Sequence, residues 1–222
     1  SDNGGSREGE VNGTSQYFRI LTHQSAGTDG EGEDELRIDH GRLELIGGPQ
    51  TLPHYPRAWG MVSSTPFRLY KINTHQGGHS VPFLFSWPAR YAHLAGQKRA
   101  QYGYVTDIMP TLLELVGLDA PTERNGRPVK PLAGRSIVPV LEDASVPAPH
   151  TEQVEEMLGH RGFYRDGWHA VTLHQTRSSF RADHWELYDL TTDPTEIHDV
   201  SAEHPDKLAE LVAAWDDAAW KY

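Results

Sequence analysis

The residues most able to do chemistry lie in three short segments. Asp2-Asn3-Gly4-Gly5 sets a carboxylate beside an amide oxygen and two glycines. Hard divalent cations take oxygen ligands, and a bend between strand and loop lets such neighbours face one ion; the same residue types also make an ordinary turn. Lys71 closes an apolar run and precedes Thr74-His75-Gln76-Gly77-Gly78. A lysine there can set a point charge on a phosphate or sulfate oxygen while the glycines let backbone approach the ligand, or it can be a solvated surface lysine. His75 and His79 have the H-x-x-x-H spacing that zinc uses on a helix. Gly77-Gly78 lies between them and argues against a helix there, so the zinc reading is set aside.

The bulk properties restrict what these segments can serve. The chain has 222 residues with 20 Lys+Arg against 31 Asp+Glu, a formal charge of -11. Sequence-independent attraction to nucleic acid or an anionic membrane is therefore disfavoured, and an anionic substrate must be held by a local site. There is no cysteine, which excludes a disulfide scaffold and a Cys nucleophile from these residues. No apolar run is long enough to span a membrane. Ser1 to Gly5 carry neither Met nor a signal-peptide pattern, so the expectation is a chain cut from something longer. The sequence names no compartment and no oligomeric state.

The elements that must position these residues can be read along the chain. Gly4 to Gly48 is polar and glycine-rich, with an acidic knot from Asp29 to Glu35 and a short strand or helix near Phe18 to Leu21; it reads as a long surface excursion. Val81 to Trp87 is a nearly continuous apolar run bounded by Gly77-Gly78 and Pro88, the pattern of a strand buried on both faces in a parallel or mixed sheet. Asp107 to Val116 has helical spacing, with Pro110 in the first turn and Gly117 to end it. Pro121 to Pro149 reads as a connection containing one apolar piece, Ile137 to Leu141. Strands follow near Arg161 to Tyr164, Trp168 to Leu173 and Trp185 to Leu190, with turns at Asp166-Gly167 and Asp193-Pro194. A last helix opens at Pro205 and sets Leu208, Leu211, Val212 and Trp215 on one stripe. The expected division is residues 1–147, an α/β catalytic portion, and residues 148–222, a small antiparallel sheet with a helix on one face.

In order, these segments form a more specific pattern. Ser1-Asp2-Asn3-Gly4-Gly5-Ser6, His54-Tyr55-Pro56 with Trp59, and Ser64 to Lys71 with Thr74 to Gly78 come first. Phe83 to Pro88, Thr106-Asp107-Ile108-Met109-Pro110-Thr111, Leu132-Ala133-Gly134-Arg135-Ser136, Glu156 to Arg161, Trp185 to Leu190 and Asp193-Pro194-Thr195-Glu196 follow. Together they resemble the second half of arylsulfatases, over nearly the whole chain and least well in the polar Gly4 to Gly48 segment.

The resemblance implies an α/β fold of the alkaline-phosphatase-like kind, a mixed sheet covered by helices followed by the small sheet and helix, and hydrolysis of a small-molecule sulfate ester. It implies that Asp2 and Asn3 help bind a divalent metal ion, Ca2+ ahead of Mg2+. It carries over to Lys71 contact with the sulfate and the ester oxygen, and it counts His75 among the substrate-binding residues without giving it a chemical step. Gly5, Gln76 and His79 depart from the residues common in the family. Its nucleophile is a formylglycine made from the Cys or Ser of a C/S-x-P-x-R motif upstream of the Asp-Asn pair, a region absent from this sequence. Ser64-Thr65-Pro66-Phe67-Arg68 fits that expression formally but falls downstream of the pair, the wrong order. The 222 residues alone are thus expected to be inactive and poorly stable. Two other readings stay open: a phosphodiester or phosphonate monoester hydrolase of the same superfamily, and a degenerate non-catalytic module.

Overall fold

The computed structural model describes residues 3–18 and 41–221. Asp2, the acidic knot and all but the first residue of the Phe18 to Leu21 segment lie outside them. The chain forms two compact units, Ser1–Pro82 with Val154–Tyr222, and Phe83–Gln153. Among the described residues the helices of four residues or more are α1 (Arg57–Ser63), α2 (Gln76–His79), α3 (Pro88–Tyr91), α4 (Ile108–Val116), α5 (Val138–Glu142) and α6 (Pro205–Ala219). The strands are β1 (Glu123–Arg124), β2 (Arg127–Pro128), β3 (Glu152–Met157), β4 (His160–Arg165), β5 (Trp168–Thr172) and β6 (Trp185–Asp189).

The first unit is organised by the sheet β3-β4-β5-β6. Asp166 and Gly167, with φ of 49° and 88°, supply the two left-handed residues that a tight hairpin between β4 and β5 demands. The register pairs Phe163 with Ala170 and Ala170 with Leu187. Since residues directly opposite share a face, these three form one apolar surface, which is closed by Leu211 of α6 with Leu208 and Trp215 beside it. Pro205 starts α6 at its first turn, where its missing N–H costs nothing. Phe163, Leu187 and Leu211 are each 2% exposed or less, and burials of this kind contribute about 1.5–3 kcal/mol each.

The other face of the sheet is polar and is covered by the segment that carries Lys71. His169 stands opposite Tyr188, and Val171 opposite Glu186. Arg68 Nη1 donates to Glu186 Oε2 at 2.9 Å and to the Tyr188 hydroxyl at 2.5 Å. His75 Nε2 donates to the same Glu186 oxygen at 2.9 Å, and the Tyr188 hydroxyl donates to it at 2.5 Å. Thr74 Oγ1 donates to Arg161 O, and Gln76 N to Glu196 Oε2 at 2.7 Å. Alternation along Trp185-Glu186-Leu187-Tyr188 thus serves two partners, apolar residues toward α6 and polar ones toward residues 68–76.

In the second unit α4 ends at Gly117, whose φ of 70° is the left-handed cap. Tyr91, Leu115 and Val138 form its core. Asp107, 2% exposed, is the polar hub. Its Oδ2 accepts from Tyr104 N at 2.9 Å, and its Oδ1 from Arg135 N at 2.8 Å and His150 Nε2 at 2.6 Å. Thr111 Oγ1 donates to Asp107 O and accepts from Ile137 N. Gly134 sits so close that a Cβ there would lie 2.1 Å from Thr106 O. The Thr106-Asp107 and Leu132 to Ser136 blocks of the sequence are therefore one packed junction.

Three local expectations change. Val81 to Trp87 forms no strand, and Phe83 and Leu84 are 58% and 87% exposed. An apolar extended run becomes a strand only where neighbours supply a ladder, and none pairs with it among the described residues. Residues 76–79 do form a helical turn, because Gly77 and Gly78 permit a backbone approach in which a Gly77 Cβ would lie 2.2 Å from Arg68 O. β3 has no counterpart in the expectations: Glu-Gln-Val-Glu-Glu-Met carries little apolar signal because it is an edge strand with charged residues. The expected antiparallel sheet and closing helix are present, and Ile137 to Leu141 lies largely within α5.

Asp107→Ala leaves three part-buried donors without their buried acceptor and is expected to lower the stability of the protein by about 2–3 kcal/mol, read as a fall in the denaturant midpoint at unchanged m. The Glu186 carboxyl is held down at about 2 from 4.5: burial works against this and is outweighed by the hydrogen bonds from His75 and Tyr188 and the charge of Arg68. Because the folded value is depressed, its stabilisation is present above about pH 4.5 and is lost as the pH falls towards 2. The thermal midpoint should therefore drop across that window, and Glu186→Gln should start lower and drop less; parallel profiles would contradict the assignment.

Candidate active site

Asn3 to Ser6 threads between α1 and α2. Gly4 N donates to Gly78 O at 2.8 Å, and Gly5 N to Ser64 Oγ at 3.0 Å. Lys71 N donates to Gly5 O at 2.8 Å, and Ser6 N to the Tyr55 hydroxyl at 3.0 Å. A Cβ on Gly4 would lie 1.8 Å from Gly77 O, and one on Gly5 2.6 Å from Gly60 O. The glycine pair thus serves close backbone approach, which also accounts for Gly5 where alanine is common in the resemblance. By tying Asn3 to the segment before Lys71, it brings two of the expected site residues to one place.

That place is a cleft of about 460 Å³ lined by Asn3, Gly4, Ser6, Tyr55 and Lys71 among others. Ser63, Thr65 and Ser80 also line it, the first two with hydroxyls that donate to Trp59 O and Met61 O. The Lys71 side chain is 35% exposed, and its Nζ donates to Glu8 Oε1 at 3.1 Å and Oε2 at 3.0 Å. Glu8 also accepts from Ser6 Oγ at 2.6 Å, and His54 Nε2 lies 3.7 Å from it. Its carboxyl titrates below the ordinary range: partial burial would raise it, and the Ser6 hydroxyl with the Lys71 ammonium and His54 more than offset this. Asn3 Nδ2 donates to Gly4 O at 2.8 Å, so the atom this side chain can offer a cation is Oδ1.

The backbone around Lys71 is strained. Leu69 and Ile72 have φ of 66° and 86°. A β-branched residue in the left-handed region is a true outlier, and conformations of this sort cost about 1–3 kcal/mol each where the surroundings hold them. Those surroundings are the bonds from Lys71 N to Gly5 O and from Gly77 N to Arg68 O. Strain of this kind concentrates where a side chain must be aimed.

The remaining expected residues lie elsewhere. Asp2 is outside the described residues. His75 is fully buried, donates to Glu186 and does not line the cleft. Ser64 is 6% exposed and lines the cleft with its Oγ engaged by Gly5 N, while Arg68 of the same five-residue match is turned to the sheet. Glu8 was missed: it sits in the polar excursion with no motif, and only its contact with Lys71 across 63 positions of sequence marks it. Ser6 and Tyr55 fall within blocks that carry the resemblance, but neither was expected as a lining residue of the cleft.

Comparison with known proteins identifies the family. Residues 70–215 match the family model for N-sulphoglucosamine sulphohydrolase, C-terminal. An uncharacterized sulfatase of Schizosaccharomyces pombe is 28% identical over 183 residues, covering 78% of this chain and 31% of the relative. An arylsulfatase of Klebsiella aerogenes is 30% identical over 115 residues, covering 51% of this chain and 23% of the relative. The crystal structure of Ps i-CgsB in complex with k-i-k-neocarrahexaose superposes with a TM-score of 0.54 at 25% identity, covering 70% of this chain and 32% of that one. The solved neighbours are sulfatases of the alkaline-phosphatase-like fold. The matched part of the chain spans 23–32% of these relatives' length. With the family match extending over most of its length and through both compact units, the chain belongs to the sulfatases, of which it carries the C-terminal portion.

Proposed function

We propose that the protein containing this chain hydrolyses sulfate esters, and that this portion supplies the cation that receives the sulfate group. The observation that carries the reading is the shared cleft of Asn3 and Lys71 in a chain of the sulfatase family. In an overall acidic chain, Lys71 is the cationic side chain lining that cleft. Its ammonium binds a sulfate oxygen and stabilises the charge that develops on the ester oxygen as the S–O bond breaks. Substrate exchanges for Glu8 at Lys71 Nζ, so Glu8 keeps the side chain in the cleft until an anion arrives. The Tyr55 hydroxyl, which accepts from Ser6 N, is a donor suited to a further sulfate oxygen. The complex of the Ps i-CgsB relative with k-i-k-neocarrahexaose supports a saccharide as the organic half.

A hard divalent ion, calcium ahead of magnesium, fits the donor chemistry here: Asn3 can offer Oδ1 at the cleft, and the Asp2 carboxylate is its neighbour in sequence. When bound, such an ion polarises the ester as a Lewis acid. The nucleophile, a formylglycine in this reading, and the remaining ligands come from sequence outside these residues, so the 222-residue portion is inactive alone. His75 enters as a positioning residue, since it acts on Lys71 through the docking of residues 68–76 on Glu186.

In the complete protein, Lys71→Ala should lower kcat/KM for an aryl sulfate by about a hundredfold or more, a loss of about 3 kcal/mol of transition-state stabilisation. An unchanged value removes Lys71 from the site, and a preference for aryl phosphate over aryl sulfate moves the reading to phosphoester hydrolysis. Glu8→Gln removes the rival anion. Half-exposed ion pairs are worth about 0.2–1 kcal/mol, so KM should fall by up to about fivefold with kcat little changed; a raised KM would make Glu8 a support for bound substrate instead.

A further inference from the structure

On the polar face of the sheet lies a second group of ligand-type side chains: His79 of α2, Glu155 of β3 and His169 of β5. One donor atom from each lies within 4.8 Å of the others. His79 Nε2 and His169 Nε2 are each 3.3 Å from Glu155 Oε2. Ligands about 2.05 Å from a zinc ion are separated by about 3.3 Å along a tetrahedral edge. Two of the three separations therefore already have the length that coordination requires.

The hydrogen bonding of these groups is incomplete in a way that points the same direction. Both Glu155 oxygens and His169 Nε2 are buried without a hydrogen-bond partner among the described residues. Native interiors leave few such atoms unsatisfied, and here three meet at one point. The other side of the His169 ring is fixed: Nδ1 donates to Glu196 Oε1 at 2.5 Å, and Glu196 is in turn held by Gln76 N. A carboxylate on one imidazole nitrogen sets the tautomer and turns the opposite nitrogen's lone pair toward a metal. Gly162 of β4 leaves the space beside it, since a Cβ there would lie 2.8 Å from Glu155 Oε2 and 3.0 Å from His169 Nε2. His79, whose side chain is 23% exposed, gives the path of entry; on binding it gives up its bond to Thr74 O. With neutral imidazoles, the Glu155 and Glu196 carboxylates balance a dication. Two nitrogens and one oxygen at this spacing favour zinc over calcium or magnesium.

We propose that His79, Glu155 and His169 bind a divalent ion of the zinc class, with water completing four-coordination and Glu196 orienting His169. The ion fastens α2 to β3 and β5, and so fixes the floor of the segment that begins at Lys71. Its competitor is a proton shared among His169, Glu155 and Glu196.

The test uses the full-length protein, stripped with chelator and titrated with Zn2+ and, separately, Co2+. One zinc per chain should bind with a rise in thermal midpoint, and Co2+ should give the intense visible bands of a four-coordinate N/O site, unlike the weak bands of an all-oxygen octahedral one. Both signals should vanish in Glu155→Gln and His79→Gln, and Glu196→Gln should weaken affinity by about 10–100-fold. Should Glu155→Gln fail to fold by circular dichroism, the partly exposed His79→Gln decides alone. Folded wild type that shows no such bands, or bands retained at wild-type affinity in His79→Gln, overturns the site and leaves the proton as the occupant. Neither result bears on the sulfatase reading, which uses none of these three residues.

Discussion

The structure depends on the docking of one irregular segment, residues 68–79, onto the polar face of a four-stranded sheet. The contacts are made by carboxylates on the sheet side: Glu186 takes His75 and Arg68, Glu196 takes the amide of Gln76, and Glu155 stands against His79. Each is partly or wholly removed from water, so the arrangement holds only if every partner is in place; a buried carboxylate left alone is costly. This requirement gives the segment one position rather than many. An apolar contact of equal area would stabilise comparably but would tolerate sliding. Lys71 sits between residues of that segment, and its placement inherits their precision.

The sheet can serve this purpose because its two faces do different things. Phe163, Ala170 and Leu187 meet α6 and supply the hydrophobic free energy, while His169, Glu186 and Tyr188 on the opposite face supply geometry. The strained φ values at Leu69 and Ile72 are affordable only on such a base. The second unit repeats the logic on a smaller scale, with Asp107 collecting donors from Tyr104, Arg135 and His150.

What could be read from sequence follows from how local each cause is. The hairpin at Asp166-Gly167, the caps at Pro205 and Gly117 and the stripe through Leu208, Leu211 and Trp215 are set by residues within a few positions of one another, and they were legible. The strand expected at Val81 to Trp87 depends on neighbours that its own residues cannot supply. β3 was hidden because an edge strand has no need of an apolar pattern. The helical turn at Gln76 to His79 was argued against from its glycines, yet those glycines are what let α2 lie against Arg68 and Asn73. At the site, Lys71 and Asn3 were found through a family pattern, and Glu8 was not, because ion pairing across a long stretch of polar sequence leaves no periodicity.

On the function proposed above, the pairing of Lys71 with Glu8 also bears on how an acidic portion receives an anionic substrate. The formal charge of -11 on these residues would oppose a sulfate ester at long range, so the proposed attraction acts within a screening length of the site. A bare ammonium in the cleft would meet that need but would be free to leave for solvent on its four-carbon stem. Glu8, held by Ser6, restrains it at the cost of partial neutralisation. Because Lys71 stays about one-third exposed, that neutralisation is weak, and a sulfate group making several contacts at once can outcompete a single carboxylate. On that proposal the exposure of the ion pair sets the site: deeper burial would lock Lys71 onto Glu8, and greater exposure would fail to aim it.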